Sequence, residues 1–213
     1  MFRSKKEVRN YIWRKIEPFA DFPFPVRGRI PNFKGASRAC SKLRELEQYR
    51  KCDAVFSAPD SPLRKAREIA LNDGKWLIAA KPRLKGLIIL KGGDAKRLSS
   101  LTAMLKYGKD VTLRELRELD LSVGVFLQGC VAVDLQGNRI GKGSGYGDKE
   151  FWMLRESGLL AEDYVYAVVC HPVQIVEGLD NLMSDRDAKV DVILTPNQIV
   201  WTEYAKQRLK HLS

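Results

Sequence analysis

Apolar residues recur along this chain in two patterns, which alternate from the N-terminus to the C-terminus. Val8, Tyr11, Ile12 and Ile16 fall on one side of a helix. Short continuous apolar runs such as "KWLIAA" and "GLIIL" have the length of buried strands. Strands that alternate with helices predict an α/β fold whose mostly parallel sheet is covered by helices on both faces.

Capping signals predict where several helices begin. Ser4, with Glu7 three residues later, forms a capping-box pattern, and the first helix is expected to end near Glu17. Thr112 begins a second such pattern. Further helices are predicted over 36–50, from Ser61 to the residue before Gly74, over 94–106 and over 148–157.

The remaining apolar runs predict strands and turns. "CDAVFSA" and "YVYAVVC" are typical of buried strands, and "LSVGVFLQGCVAVD" is a strand interrupted at Gln128 and Gly129. "QGN" at 136–138 predicts a turn, and "KVDVILTPNQIVWTE" predicts a hairpin that turns at Pro196 and Asn197. "DFPFPVRGRIPNFKGA", residues 21–36, predicts an ordered loop, in which Phe22, Phe24 and Phe33 are expected in the core rather than stacked on a ligand.

Length and composition favour one globular unit. The 213 residues, 45% of them hydrophobic, predict a single domain over 1–205 and a basic C-terminal tail over 206–213. Cations interrupt the N-terminal apolar residues, so there is no signal-peptide core, and no window suits a membrane span. We therefore expect a cytoplasmic protein. Its four cysteines are widely spaced and predict buried free thiols, without a zinc cluster.

The net charge of +11 predicts attraction to anions. Nucleotide phosphates, polyglutamylated cofactors and nucleic acid all qualify, and many of the 37 cations also suit a solvated surface. Charge alone does not choose among them. No aromatic RNA-binding motif is present, which makes nucleic acid the weakest of these partners.

A glycine-rich stretch, "RIGKGSGYGDKE" at 139–150, follows an apolar run and leads into a predicted helix. Alternating glycines leave backbone N–H groups accessible, and a helix N-terminus attracts negative charge. Arg139 and Lys142 add positive charge, and Asp148 could hold the Mg²⁺ that accompanies nucleotide phosphates. The stretch predicts a phosphate site, although a tight turn and a first-turn acid explain the same residues.

Two cations and one acid interrupt otherwise apolar surfaces. Lys5 and Arg9 continue the stripe of Ile12 and Ile16, so they either extend towards solvent at the helix end or face a buried anion. Asp191 lies between two valines in a predicted strand, and a buried carboxylate there requires a partner, either a metal or a lysine.

Three separated blocks together resemble one family. "GNRIGKGSGYGD" resembles the GxRxGxGxGYYD signature of the 5-formyltetrahydrofolate cyclo-ligases, Lys5 and Arg9 reproduce an N-terminal K-x-x-x-R pair, and "KVDVILTP" matches a late strand with a metal-binding Asp. The chain is more similar still to the eukaryotic methenyltetrahydrofolate synthase domain-containing proteins, which share "DFPFPVRGRIPNFKGA" as well.

The resemblance implies a fold, a reaction and its cofactors. The fold is a three-layer α/β sandwich of the ribose-phosphate isomerase and CoA-transferase type. The reaction converts 5-formyltetrahydrofolate, with or without a polyglutamate chain, to 5,10-methenyltetrahydrofolate, while ATP is hydrolysed to ADP and phosphate in the presence of Mg²⁺. The catalysis expected is positioning and charge stabilisation, without a covalent nucleophile.

The resemblance also implies site residues. Lys5 and Arg9 contact the ATP phosphates, Lys142 and Tyr146 act in catalysis, and Asp148 and Asp191 hold Mg²⁺. The loop that cradles the nucleotide comprises Arg139, Gly141, Lys142, Gly143, Ser144, Gly145 and Tyr146.

Two departures from the family pattern define an alternative function. Gly147 replaces the second Tyr of GYYD, and the loop after "AVFSA" offers Asp60 where the family has a folate-binding Glu. The alternative is a nucleotide-binding protein that has lost formylfolate activity, with a possible association with RNA.

Overall fold

The computed structural model describes residues 2–211, and a sheet of eight strands forms its centre. The strands are β1 (Ala20–Asp21), β2 (Asn32–Phe33), β3 (Ala54–Ser57), β4 (Trp76–Ala80), β5 (Leu87–Leu90), β6 (Lys109–Val111), β7 (Val123–Gly129), β8 (Ala132–Val133), β9 (Arg139–Ile140), β10 (Leu160–Val169), β11 (Val192–Leu194) and β12 (Ile199–Trp201). The helices are α1 (Lys5–Ile16), α2 (Ala36–Ser41), α3 (Glu47–Lys51), α4 (Arg64–Asn72), α5 (Ala95–Leu98), α6 (Leu101–Tyr107), α7 (Leu113–Glu118), α8 (Tyr146–Glu156) and α9 (Glu203–Arg208).

The central strands of the sheet are parallel and buried. Its order is β12-β11-β10-β7-β3-β4-β5-β6, in which β4, β3, β7, β10 and β11 run parallel and the outer strands pair antiparallel. Every residue of β3 and β7 is buried, as expected for strands covered on both faces. The carboxyl ends of β3 and β7 therefore meet at one edge, where parallel α/β folds form binding sites.

Helices cover both faces of the sheet. On one face, Ala39 of α2 and Ile69 of α4 pack in one apolar cluster with Val125 and Leu127. On the other face, Leu116 of α7 and the α8 residues Phe151 and Leu154 pack with Phe56, Phe126 and Tyr166. These three layers confirm the α/β sandwich that the sequence predicts.

The first helix forms as its capping signal predicts. The Ser4 hydroxyl accepts a hydrogen bond from the Glu7 N–H, and Val8, Ile12 and Ile16 are buried. The Glu7 carboxylate binds the Arg3 N–H instead of completing the box at Ser4. Thr112 and Glu115 do form a complete capping box at α7.

Two predicted helices are each divided in the structure. The region 36–50 becomes α2, a 3₁₀ turn and α3, because the three-residue period of that turn keeps Leu43 and Leu46 buried. The region 94–106 becomes α5 and α6, which are separated at Ser99. The hydroxyl of Ser100 then caps α6. Strand β6 and the pair β1-β2 were not predicted. Strand β8 lies within the predicted "LSVGVFLQGCVAVD" strand, but β7 continues through Gly129, so the interruption comes after the predicted position.

The proline-rich loop is ordered, but only part of it enters the core. Its ends pair as β1 and β2, and the Phe33 ring is 1% exposed. The Phe22 and Phe24 rings are 74% and 60% exposed, so the expectation that both lie in the core is wrong. Prolines 23 and 25 prevent these residues from joining a helix or a central strand that would bury them.

The remaining expectations concern thiols and the C-terminus. Cys40, Cys130 and Cys170 are buried free thiols, and Cys52 is half-buried. No helix among residues 2–211 is long and apolar enough to cross a membrane. Residues 206–208, which the sequence assigns to a basic tail, continue α9, and residues 212–213 of that tail lie outside the described residues.

Candidate functional site

A cavity of about 590 Å³ opens at the carboxyl ends of β3 and β7. Gln128 and Gly129 of β7, the 58–60 loop after β3, the N-terminal half of α1 and the 139–150 stretch line it. Six cations and four acids lie on its walls, so its formal charge is positive. Every site residue predicted from the sequence lines this cavity except Asp191.

The glycine-rich loop presents the N-terminus of α8 to the cavity. Gly143 and Gly145 have φ values of 112° and 70°, a left-handed conformation that favours glycine. Gly145 is the N-cap of α8, and no side chain caps the helix there. The N–H groups of the first turn thus remain available to an anion beside the exposed Lys142.

Helix α1 brings two cations to the same cavity. The Lys5 ammonium contacts both carboxylate oxygens of Asp187 at 2.6 Å, and the Arg9 Nε donates to the Gly141 carbonyl at 2.7 Å. Burial lowers the pKa of Arg9. For Asp187, burial disfavours the charged form, but hydrogen bonds from Lys5 and Ser184 outweigh it and lower the pKa. Lys5 and Arg9 therefore face the site rather than solvent.

A buried ion pair supports the loop from below. The Arg139 side chain is 4% exposed, and its Nη2 donates to Asp148 Oδ1 at 3.0 Å. The same oxygen accepts from the Ala188 N–H at 3.2 Å. The Arg139 Nε is buried and has no hydrogen-bond partner among the described residues. A buried donor without a partner is costly in free energy.

The two predicted magnesium ligands lie in different environments. Asp148 has one oxygen, Oδ2, that accepts no hydrogen bond from a described residue, and it lines the cavity. Asp191 is 1% exposed, and both its oxygens bind the Arg208 guanidinium, at 2.9 and 2.8 Å. Its Oδ2 also accepts from the Tyr166 N–H at 2.8 Å.

The structure therefore does not bring Asp191 to the cavity. Its partner is Arg208 of α9, rather than the metal or the lysine that the sequence left open. The expectation of an Asp148–Asp191 pair around one ion does not fit these contacts. No cluster of three or more His, Cys, Asp or Glu side chains suited to a metal occurs within residues 2–211.

A buried polar network forms the cavity floor. Tyr166 donates its hydroxyl to Gln128 Oε1 at 2.6 Å, and Gln128 Nε2 donates to the Gly147 carbonyl and to Glu150 Oε2, both at 3.0 Å. Burial, together with the charge of Asp60, raises the pKa of the Glu150 carboxyl to about 7. A Cβ atom on residue 147 would lie 2.7 Å from Gln128 Oε1. Gln128 therefore occupies the space that a tyrosine at position 147 would need.

The 58–60 loop is held by an internal arginine. Arg67 of α4 is 2% exposed, and its guanidinium donates to the carbonyls of Ser99, Ala58 and Asp60 at 2.9, 2.8 and 3.0 Å. Burial lowers the pKa of Arg67 to about 10. Burial also raises the pKa of the Asp60 carboxyl, which faces the cavity. Arg67 thus fixes the backbone that carries Asp60.

Sequence reasoning missed three residues of this site: Gln128, Glu150 and Asp187. A sequence signal existed for two of them. Gln128 interrupts an apolar strand, and Glu150 lies four residues before the buried Leu154 on the inner stripe of α8. Asp187 lies in an irregular segment, 182 positions from Lys5, and no local pattern marks it.

Most of the chain matches one protein family. Residues 6–196 match the model of the 5-formyltetrahydrofolate cyclo-ligase family. The bovine methenyltetrahydrofolate synthase domain-containing protein is 34% identical over 205 residues, and the human one is 33% identical over 205 residues. Each alignment covers 93% of this chain and 54% of the relative, so the chain spans about half the length of these proteins.

Comparison with solved structures gives the same fold. A 5,10-methenyltetrahydrofolate synthetase from Aquifex aeolicus superposes with a TM-score of 0.58 at 19% identity, covering 93% of both chains. A 5,10-methenyltetrahydrofolate synthetase from Mycoplasma pneumoniae gives a TM-score of 0.54 at 12% identity, covering 89% of this chain and 97% of the other. At these identities the likeness extends to the fold alone.

Proposed function

This chain belongs to the 5-formyltetrahydrofolate cyclo-ligase family, and on that premise we propose that it cyclises 5-formyltetrahydrofolate to 5,10-methenyltetrahydrofolate with hydrolysis of ATP. One observation carries the proposal: a single cavity contains the Lys5 and Arg9 pair, the glycine-rich loop and Asp148. Arg9 and Gly141 are 132 positions apart in the sequence, and the convergence of these groups on one positively charged cavity is what a polyphosphate ligand requires.

The residues at the end of the cavity formed by the glycine-rich loop suit the ATP phosphates. The first-turn N–H groups of α8 donate to phosphate oxygens, and Lys142 and Lys5 add formal positive charge. Arg139 stabilises the loop through Asp148. Tyr146, the first residue of α8, lines the cavity, and we assign to it the role of holding the substrate against the phosphates.

The reaction needs positioning and charge stabilisation more than acid or base chemistry. The formyl oxygen of the substrate attacks the terminal phosphorus, and the bond from that phosphorus to the ADP oxygen breaks. The N10 nitrogen then attacks the activated carbon and loses its proton, the carbon–oxygen bond to the phosphoryl group breaks, and inorganic phosphate leaves with that proton. Negative charge builds on the transferred phosphoryl oxygens, where Lys142, Arg9 and the α8 amides stabilise it.

Magnesium fits this site through one carboxylate of the protein. Asp148 offers Oδ2, and Mg²⁺ is commonly held by one or two carboxylates together with phosphate oxygens and water. When bound, Mg²⁺ neutralises phosphate charge. Asp191 takes no part, because Arg208 occupies both its oxygens.

The test is the near-ultraviolet absorbance of the methenyl product after 5-formyltetrahydrofolate, ATP and Mg²⁺ are added. Replacing Lys5 with alanine removes a charged hydrogen bond to phosphate, so we expect KM for ATP to rise about 10- to 100-fold. Lys6→Ala, an exposed neighbour on α1 outside the cavity, is the matched control and should leave KM unchanged. No absorbance change at high concentrations of the unaltered protein refutes the proposal.

A second function is favoured by Gly147. Because Gln128 fills the space beside residue 147, the cavity lacks the second tyrosine side chain of the family signature. A protein that binds Mg-ATP but does not turn over formylfolate would retain the loop and lose the folate subsite. Calorimetric binding of Mg-ATP without methenyl absorbance would favour this function over the first.

A further inference from the structure

Two carboxyl groups on the cavity floor have no cationic partner. Glu150 is 7% exposed and lines the cavity, yet neither it nor Asp60 forms an ion pair with any cation of residues 2–211. The nearby Arg139 is already bound to Asp148. Each carboxyl accepts a hydrogen bond, Glu150 from Gln128 and Asp60 from the Gly129 N–H, but no cation in the described part of the chain balances its charge. A carboxyl group with little exposure and no counter-charge is costly, so the two together mark a position for a ligand that donates hydrogen bonds.

Gln128 fixes how Glu150 faces the cavity. The Tyr166 hydroxyl donates to Gln128 Oε1, which sets the orientation of the amide. Both amide hydrogens are then used, one on the Gly147 carbonyl and one on Glu150 Oε2. Gln128 therefore has no free donor for a ligand, while Glu150 Oε1 accepts no hydrogen bond from a described residue.

We propose that Glu150, with Asp60 beside it, is the acceptor that recognises the N–H face of an amino-substituted heterocycle, and that Gln128 is its positioning residue. The inference rests on the proposed function for the identity of the ring, since the aminopyrimidinone ring of a reduced folate carries such a face. In this arrangement the ring lies against Glu150 on the cavity floor, and the phosphates lie at the glycine-rich loop above it.

The surroundings favour an amine-bearing ring over a divalent cation at this floor. Gln128 directs an N–H group at Glu150, and the charges of Arg139 and Lys142 both act on the carboxyl. Within residues 2–211, no third His, Cys, Asp or Glu joins Glu150 and Asp60 in a group suited to a metal, whereas a neutral ring with two or more N–H groups suits two carboxyl acceptors. Glycine at position 147 is part of the same arrangement, because a side chain there would displace Gln128.

The experiment compares Glu150→Gln with Glu156→Gln, an exposed position on the same helix. Glutamine keeps the size of the side chain and its bond to Gln128, but it turns the free acceptor into a donor. We expect KM for 5-formyltetrahydrofolate to rise about 10- to 100-fold in Glu150→Gln, with KM for ATP unchanged. Glu156→Gln should match the unaltered protein. If Glu150→Gln does not fold, Glu150→Asp is tested in its place. Aspartate retracts the carboxyl by one methylene and should raise KM for 5-formyltetrahydrofolate in the same way.

A second measurement separates this inference from the proposed function. Binding of 2,4-diaminopyrimidine is followed by calorimetry, which requires no turnover. If the protein does not cyclise formylfolate but binds this probe, and Glu150→Gln abolishes binding, the proposed function fails and the inference stands. Three results overturn the inference: unchanged KM for formylfolate in an active Glu150→Gln or Glu150→Asp enzyme, failure of an inactive protein to bind the probe, or loss of Mg²⁺ binding alone.

Discussion

Replacement of Gly147 by alanine tests whether the Gln128 network fixes the cavity floor. The new Cβ would lie 2.7 Å from Gln128 Oε1, 3.0 Å from Arg139 Nη2 and 3.1 Å from Gln128 Nε2. A flexible glutamine would move away at little cost. Here the amide is held by Tyr166, Gly147 and Glu150, so movement breaks hydrogen bonds in a buried site.

The magnitude follows from two opposing effects. Overpacking a buried site costs about 1–3 kcal/mol, whereas alanine in place of glycine in a helix gains up to about 1 kcal/mol. Gly147 lies in the first turn of α8, so the gain is at the low end of this range. We expect a net loss of about 1–2 kcal/mol in the free energy of unfolding. For a chain of this length that lowers Tm by about 2–8 °C.

The assay is urea denaturation of Gly147→Ala, Gln128→Ala and the double variant. Gln128→Ala alone is destabilising because Tyr166 and Glu150 lose their partner. It also removes two of the three atoms that the new Cβ would contact and leaves Arg139 Nη2. The loss in the double variant should therefore be smaller than the sum of the two single losses, by about 1–2 kcal/mol. Additivity within about 0.5 kcal/mol, or an unchanged Tm in Gly147→Ala, refutes the reasoning.

Two further predictions concern groups away from the cavity. Arg208→Ala leaves the Asp191 carboxylate buried and unpaired, so urea denaturation should show a loss of about 3–5 kcal/mol in the free energy of unfolding. The control Lys206→Ala, at an exposed position on α9, should cost about 0–0.5 kcal/mol. Equal losses in the two variants would contradict the assigned pair. Burial raises the pKa of the Cys40 thiol to about 12, so iodoacetamide at pH 8 should leave Cys40 unlabelled in the folded protein and label it in urea. Rapid labelling of native Cys40, measured by mass spectrometry, would refute its burial.

The sequence predicted features that depend on neighbouring residues. The cap at Ser4, the buried runs of β3 and β7 and the glycine-rich entry to α8 are local patterns, and each formed. The resemblance placed Lys5 and Arg9 at the site, because the K-x-x-x-R spacing puts both on one helical stripe. These elements were sufficient for the fold and for the phosphate end of the cavity.

The remaining features depend on pairings between distant residues. Asp191 required a partner, but no local pattern chose between a metal ion and Arg208 of α9. The floor depends on Gln128 and Glu150, which are separated by 22 positions and meet only when α8 packs on the sheet. The serine pair at 99–100 divided a predicted helix, because Arg67 from α4 takes the Ser99 carbonyl. Tertiary contacts decided each case.

The ion pair between Lys5 and Asp187 has a consequence for biosynthesis. Its partners are 182 positions apart, so this ion pair can form only after the chain as far as Asp187 has left the ribosome. The bond from Arg9 to the Gly141 carbonyl can form earlier, because Gly141 precedes Asp187 along the chain. Fragments that stop between Gly141 and Asp187 should therefore leave Lys5 without its carboxylate partner.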